Sequence, residues 1–407
     1  MKKIVLFLLL LSGFKHYSQV NIKSLCTTQD TVIIGARIGE KIYSKDTVFS
    51  SKVLNEFILP KGMYALVRNG KLLGDFLVVK ENESFVIEVN CDSIAHTTSE
   101  FTENFKKFVR KPDSQKVAFF QSLDQPSKKV LIWCYPQLGL LNMDEKPLKS
   151  NRDFNNFFID YLKDAGGFLQ NSPFFEINLE YYFTSLISPD YDTIIKYIPK
   201  LESNLDSSGL AYFKRWALFR FESSKVLGHE NVFIDLALRH IGKTTSVYDS
   251  STDFSIISKA KNLYPNRIGE LVADFNVNIV GGGKTNLGLF EGVYKVLYFF
   301  DPDCHHCRES FPALKEFAKD YYSAGVRVYA ISVGLDLDEL DDFIKDFESP
   351  GEITFASDVN VSSTTFRNFY HIPSTPTIYV VQANNQCIAR GIASSELSRL
   401  FEQIINN

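Results

Sequence analysis

At 407 residues the chain is long enough for two or three domains, each burying its own core. Charged residues make up 23% of it and the net charge is -4, which argues against a nucleic-acid-binding surface; Lys106-Lys107 and Lys128-Lys129 are short basic pairs and read as solvated faces. An aromatic content of 14% excludes a disordered chain, and six cysteines are too few for a disulfide-stapled scaffold.

The N-terminus has the pattern of a secretory signal peptide, assigned to residues 1–19. Lys2-Lys3 is its positive region, Ile4 to Leu11 its apolar run, and Lys15-His16-Tyr17-Ser18-Gln19 its polar end, although Tyr17-Ser18-Gln19 lacks the usual small residues of a cleavage site. The apolar run is too short to span a bilayer and no later segment is longer, so no stable membrane insertion is expected. The expected compartment is the periplasm or cell envelope, which is oxidising. There Cys26 and Cys91, which bracket the next region, either pair or stay free and buried.

Residues 20–98 read as a small all-β domain, an antiparallel sandwich or barrel. Thr31 to Ile34, Phe57 to Leu59, Tyr64 to Val67, Phe76 to Val79 and Phe85 to Val89 are β-branched or aromatic runs. Asn69-Gly70 between two of them predicts a tight hairpin turn. Residues 99–266 change to a helical period and form a mostly α-helical domain. Phe154, Phe157, Phe158, Tyr161 and Leu162 share one helix face, as do Ile194, Ile198, Leu201 and Leu205, with Pro199 set to bend that helix. Ser172-Pro173 reads as a cap and first-turn proline, and Phe213, Trp216, Ala217 and Phe221 as a further buried face. No catalytic pattern lies in this region.

Residues 267–407 alternate strand and helix. Lys295 to Phe300 is an apolar strand; a helix follows from Cys304 to about Tyr322, stopped by Ser323-Ala324-Gly325. Val326 to Val333 is the next strand, Asp338 to Phe347 the next helix, and Ile353 to Ala356, Thr377 to Val381 and Ile388 to Gly391 three more strands. Ser395 to Ile405 closes the chain with an amphipathic helix. A βαβ unit followed by a β-hairpin and a final helix has thioredoxin topology.

Cys304-His305-His306-Cys307 stands where the first of these strands becomes a helix. That position puts Cys304 at a helix N-terminus, where free N–H groups and the macrodipole favour the thiolate, the nucleophile of disulfide exchange. Two intervening residues bring Cys307 within one turn, so Cys304 can attack a disulfide and Cys307 can resolve the mixed disulfide. His305 and His306 are two possible cations beside the thiolate that would lower its pKa, while Asp301 and Asp303 oppose it. Zinc would want a second close pair of cysteines, and haem attachment a histidine where Arg308 stands. A peroxidatic cysteine would have Thr or Ser three residues before it, where Asp301 stands. No metal or other cofactor is expected.

The segment from Tyr298 to Cys307 resembles the active-site segment of envelope thioredoxins of the TlpA and ResA type. Pro312 matches a helix proline of that family, and Pro373-Ser374-Thr375-Pro376-Thr377 resembles its proline loop. The resemblance implies that Pro376 is a cis-proline facing the cysteines and that Thr375 presents backbone groups to a substrate strand. Gly269 to Phe275 resembles the family's first strand, with Val272 where proline is usual. Leu59-Pro60-Lys61-Gly62-Met63-Tyr64 and Ser172-Pro173-Phe174-Phe175 resemble segments of multidomain members. Tyr298 stands where ordinary thioredoxins carry a buried carboxylate that helps deprotonate the second cysteine.

The chain therefore reads as an exported thiol–disulfide oxidoreductase that reduces disulfides of envelope proteins, with Cys304 as nucleophile and Cys307 as resolving thiol. Its partners would be protein disulfide substrates and a membrane-bound or soluble thiol donor, with self-association through the upstream domains left open. The rivals are a disulfide oxidase or isomerase, and a non-catalytic binding protein that uses the fold as scaffold. His229, His240 and His371 read as ordinary surface or core residues, and Cys387 as packed core.

Overall fold

The computed structural model describes residues 17–26, 31–38, 41–48, 54–141, 158–163, 165, 167–240, 250–347, 351–361 and 365–405. The chain divides into two compact units, Met1–Trp216 and Ala217–Asn407.

The first unit opens with eight strands: β1 (Tyr17–Ser24), β2 (Val32–Ile38), β3 (Lys41–Val48), β4 (Asn55–Pro60), β5 (Gly62–Arg68), β6 (Lys71–Val78), β7 (Ser84–Val89) and β8 (Ile94–Thr97). They form two four-stranded sheets, ordered β4-β1-β7-β8 and β3-β2-β5-β6. Alternate residues such as Val20, Ile22, Ile34, Leu66, Phe76, Phe85 and Ile87 are buried in one core shared by both sheets. Asn69 and Gly70 turn β5 into β6 with φ of 48° and 77°, the left-handed pair that a two-residue hairpin needs.

The antiparallel expectation fails at one place. Strand β1 runs parallel to β7, with Val20 opposite Phe85 and Ile22 opposite Ile87. Residues 25–83 separate the two strands, so no turn signal marks the pairing. Tyr17, Ser18 and Gln19, assigned to the signal peptide, are strand residues in β1; residues 1–16 lie outside the described residues. Cys26, just past β1, is disulfide-bonded to Cys91, just past β7, closing this strand pair covalently.

Among the described residues the helices that follow include α1 (Glu100–Arg110), α2 (Asp113–Ser122), α3 (Gln125–Cys134), α4 (Gly167–Gln170), α5 (Phe174–Tyr181), α6 (Tyr191–Glu202) and α7 (Ser207–Glu222), the last of which runs across the division between the units. Phe158, Tyr161 and Leu162 are buried as their spacing predicts, whereas Phe154 and Phe157 lie outside the described residues. The cap reading of Ser172-Pro173 shifts by one residue: Pro173 stands at the N-cap of α5 rather than in its first turn, and Ser172, one residue before it, accepts the Phe174 N–H through Oγ. Pro199 lies inside α6, and Leu205 falls beyond its end. The β and helical parts of this unit meet at Gly62. A Cβ there would sit 2.7 Å from the Asn171 carbonyl oxygen, which accepts the Met63 N–H at 2.8 Å. Only glycine allows that approach, a physical reason for the glycine in Leu59 to Tyr64.

In the second unit, α8 (His229–His240) and α9 (Ser250–Leu263) precede a seven-stranded sheet ordered β10-β9-β13-β12-β11-β14-β15. Its strands are β9 (Asn276–Ile279), β10 (Lys284–Asn286), β11 (Tyr294–Phe300), β12 (Val326–Ser332), β13 (Ile353–Ser357), β14 (Thr377–Gln382) and β15 (Cys387–Arg390), with α10 (His305–Tyr321), α11 (Leu337–Asp346) and α12 (Leu397–Ile405) between and after them. Strands β11, β12 and β13 are parallel, and β14 returns antiparallel to β11. This is a thioredoxin fold. The first-strand expectation for Gly269 to Phe275 does not hold: Leu271 makes one isolated bridge with Gln386, and the strand begins at Asn276.

Central β11 is apolar from Val296 to Phe300 because both of its faces are covered. Val296, Tyr298 and Phe300 pack with Phe311, Leu314 and Phe317 of α10 and with Phe343 and Phe401. Leu297 and Phe299 pack into the opposite core with Phe275, Tyr370, Tyr379 and Cys387. Arg390 of β15 ties α8 and α9 to this sheet: it pairs with Glu230 and donates to the carbonyls of Leu263 (2.8 Å) and Asn266 (3.1 Å). Helix α10 ends where Gly325 adopts a left-handed φ of 81°.

Replacing Cys26 and Cys91 together by serine opens a loop of 65 residues. Chain entropy alone predicts a loss of about 4 kcal/mol. Chemical denaturation of the first unit's signal should show a markedly lower midpoint; an unchanged midpoint would mean that the bond contributes nothing.

Candidate active site

The sheet delivers the backbone to the site, and a short loop turns it into a helix. After Phe300, the Asp303 N–H donates to Asp301 Oδ1 (3.1 Å) and the Cys304 N–H to the Asp301 carbonyl (3.0 Å), so the loop is braced by its own first residue. Cys304 is then the N-cap of α10, with extended backbone angles. Its sulfur accepts the Cys307 N–H at 3.4 Å, one of the helix donors that no internal carbonyl can satisfy. Arg308 holds the loop from below, donating to the Pro302 carbonyl (3.0 Å) and pairing with Asp346 (2.9 Å).

Cys304 and Cys307 are both free thiols, the first half-buried and the second fully buried. The Cys304 thiol also contacts the Thr375 carbonyl at 3.4 Å, and the Thr375–Pro376 peptide bond is cis. Strand end, helix start and proline loop thus converge on one sulfur. Burial would push the Cys304 thiol up, but hydrogen bonds with Cys307, the Thr375 side chain and the backbone N–H groups of Cys307 and His306 outweigh it, and the thiol lies below its ordinary value. Cys307 moves the other way, raised first by burial and then by its hydrogen bond with Cys304. The pair is therefore polarised into an accessible sulfur ready to ionise and a buried one held protonated.

His305 and His306 are expected beside the thiolate as possible cations. Their side chains are 81% and 80% exposed, and both imidazoles turn to Glu309: His305 Nε2 lies 3.2 Å from Oε1 and His306 Nδ1 3.3 Å from Oε2. What His306 gives Cys304 is its backbone N–H. Pro312 lies inside α10. Cys387 belongs to the core on the face of the sheet opposite Cys307, and burial pushes its thiol up to about 12. His229 is a buried structural residue whose Nδ1 lies 2.7 Å from Ser224 Oγ.

One residue of the site escapes sequence reasoning. Ser310, one turn beyond Cys307, lies 3.0 Å from the hydroxyl of Tyr298, and both hydroxyls bond the Cys307 carbonyl at 3.2 Å. A serine in a helix carries no signal of its own; only the unusual Tyr298 hints that a hydroxyl pair replaces the carboxylate.

A thioredoxin-like family model matches residues 292–387, which hold the strand, the cysteine pair and the proline loop. The thiol-disulfide oxidoreductase ResA of Bacillus thuringiensis subsp. konkukian (strain 97-27) is 26% identical over 121 residues, 30% of this chain and 67% of that protein. The C-terminal domain is a thioredoxin fold similar to thiol–disulfide oxidoreductases of the TlpA/ResA type. Among solved structures, a domain of a possible thiol-disulfide isomerase from Cytophaga hutchinsonii ATCC 33406 is 25% identical to this TlpA/ResA-like chain, covering 35% of it and 95% of that domain with a TM-score of 0.32. A thioredoxin-like protein from Bacteroides caccae ATCC 43185 is 16% identical, covering 70% of this chain and 95% of its own, with a TM-score of 0.42.

The polarised pair makes a direct prediction for the TlpA/ResA-like domain. Alkylation of the reduced protein by iodoacetamide should modify Cys304 with a pH midpoint below that of a free cysteine, since a lowered pKa leaves more thiolate at any given pH, and should spare Cys307 across the same range. Equal labelling of both, or a midpoint at or above that of free cysteine, would contradict the geometry.

Proposed function

We propose that the protein is an exported thiol–disulfide oxidoreductase that reduces disulfides of envelope proteins. The observation that carries the reading is the dithiol itself: an N-cap sulfur open to solvent, a buried partner one turn away, and the cis-proline loop against the first sulfur. In the forward direction the Cys304 thiolate attacks one sulfur of a substrate disulfide. The Cys304–substrate bond forms, the substrate's own S–S bond breaks, and one substrate thiolate leaves and takes up a proton. Cys307, once deprotonated, attacks the Cys304 sulfur, and the second substrate thiolate leaves. The enzyme ends oxidised and needs a thiol donor to return. Thr375, whose carbonyl already meets the Cys304 thiol, is the proposed backbone partner of the substrate strand.

Export is supported by the N-terminal pattern and by the Cys26–Cys91 bond, since structural disulfides persist in oxidising compartments. Among the described residues no helix is long and apolar enough to cross a membrane. The isomerase or oxidase alternative draws on the lowered Cys304 thiol, which is a better leaving group than an ordinary one.

Insulin reduction with dithiothreitol as donor tests the reading. Cys304→Ser should abolish turnover, and Cys307→Ser should accumulate mixed disulfides with the substrate. A Cys304→Ser protein reducing insulin at the wild-type rate would sink the assignment.

A further inference from the structure

The second step of the exchange asks Cys307 to lose its proton where the surroundings resist it. The thiol is fully buried, and burial is the largest influence holding it protonated. The groups acting on it from the elements around it are Cys304 in its own turn, the Asp301 backbone in the loop, the Thr375 side chain in the proline loop, and Tyr298 from β11. No carboxylate acts on it from the strand position where ordinary thioredoxins carry one; Tyr298 fills that place.

Tyr298 is buried, its ring stacked with Phe300 (5.7 Å between centroids) and edge-on to Phe311 (6.1 Å). Packing therefore fixes where its one polar atom points. The hydroxyl has two partners, the Cys307 carbonyl at 3.2 Å and Ser310 Oγ at 3.0 Å, while Ser310 Oγ bonds the same carbonyl at 3.2 Å. A phenol has a single proton to give, and the carbonyl is satisfied by Ser310 alone. The arrangement leaves the Tyr298 proton free to turn. The hydroxyl is bonded to the backbone of Cys307 itself, and the Tyr298 ring and the Cys307 thiol belong to one buried core.

Taking the oxidoreductase reading as its basis, we propose that Tyr298, backed by Ser310, is the positioning residue that lets Cys307 ionise. As the mixed disulfide is resolved, the Tyr298 O–H swings from the Cys307 carbonyl to the Cys307 sulfur, and Ser310 keeps the carbonyl bonded. The thiol proton leaves to water. The Cys307 thiolate attacks the Cys304 sulfur, the Cys304–Cys307 bond forms, the Cys304–substrate bond breaks, and the departing substrate thiolate takes a proton from water. Tyr298 itself neither gains nor loses a proton. A neutral donor differs here from a carboxylate, which can accept the thiol proton but, while it stays ionised, repels a thiolate beside it.

Ellman's reagent separates the two steps in a single turnover. The first aryl thiolate is released when Cys304 attacks the reagent, and the second when Cys307 attacks the mixed disulfide. In the full-length reduced protein, Tyr298→Phe should leave the first release unchanged and slow the second about tenfold near neutral pH, the size expected for a lost hydrogen bond to a charged sulfur. The pH midpoint of the second release should move up, and the difference from wild type should narrow as pH rises. Ser310→Ala, at a half-buried position that a hydroxyl can vacate, should slow the second release alone by a smaller factor, and it carries the test if the phenylalanine variant does not fold. A second release with wild-type rate and pH midpoint in these variants overturns the proposal, as does a slowing shared by both releases at every pH, which marks a merely structural role. A wild-type protein that gives no second release fails the oxidoreductase reading itself, a result distinct from the other two.

Discussion

The bond from the Cys307 N–H to the Cys304 sulfur is the contact on which the site depends. It exists because β11 ends one short loop before a helix starts, and because the residue at that start is a cysteine instead of the usual oxygen-bearing cap. The same contact helps to lower one thiol, while burial first, and then the hydrogen bond between the two side chains, raises the other. Local geometry and burial thus divide two chemically identical residues into a thiol that ionises more readily and one that resists it. The rest of the domain keeps that geometry fixed: the Asp301 brace, the Arg308 grip on Pro302, and the aromatic packing under Tyr298 and Phe300.

What the sequence made legible was local. The strand Lys295 to Phe300, the cysteine pair at its end, the proline loop and the glycine that stops α10 each carry a signal within a few residues, and each lies where that signal puts it. The same holds for Asn69-Gly70. What was not legible depends on residues far apart in the chain. The parallel pairing of β1 with β7 and the Cys26–Cys91 bond join segments separated by most of the β domain. Strands β9 and β10 are only four and three residues long, too short for a strand period to stand out.

The histidines show what a linear count of charges leaves out: Glu309, three and four residues on, lies beside both imidazoles. Tyr298 shows the reverse. Read as a missing carboxylate it leaves a gap, whereas with Ser310 in place it completes a hydroxyl pair around the Cys307 carbonyl. Likewise, Arg390 binds α8 and α9 to the sheet of the second unit, which an unbroken helical region in the sequence does not suggest.

The central claim is that Cys304 and Cys307 form a reversible two-electron couple poised for reduction of other disulfides. Equilibrating the purified protein with glutathione buffers, trapping free thiols and counting them by mass measures that couple directly. The account predicts that both thiols vanish together, with a potential near the roughly -270 mV of thioredoxin. A potential near the roughly -120 mV of a strong oxidant would contradict the reducing direction, and the absence of any reversible couple would contradict the assignment altogether.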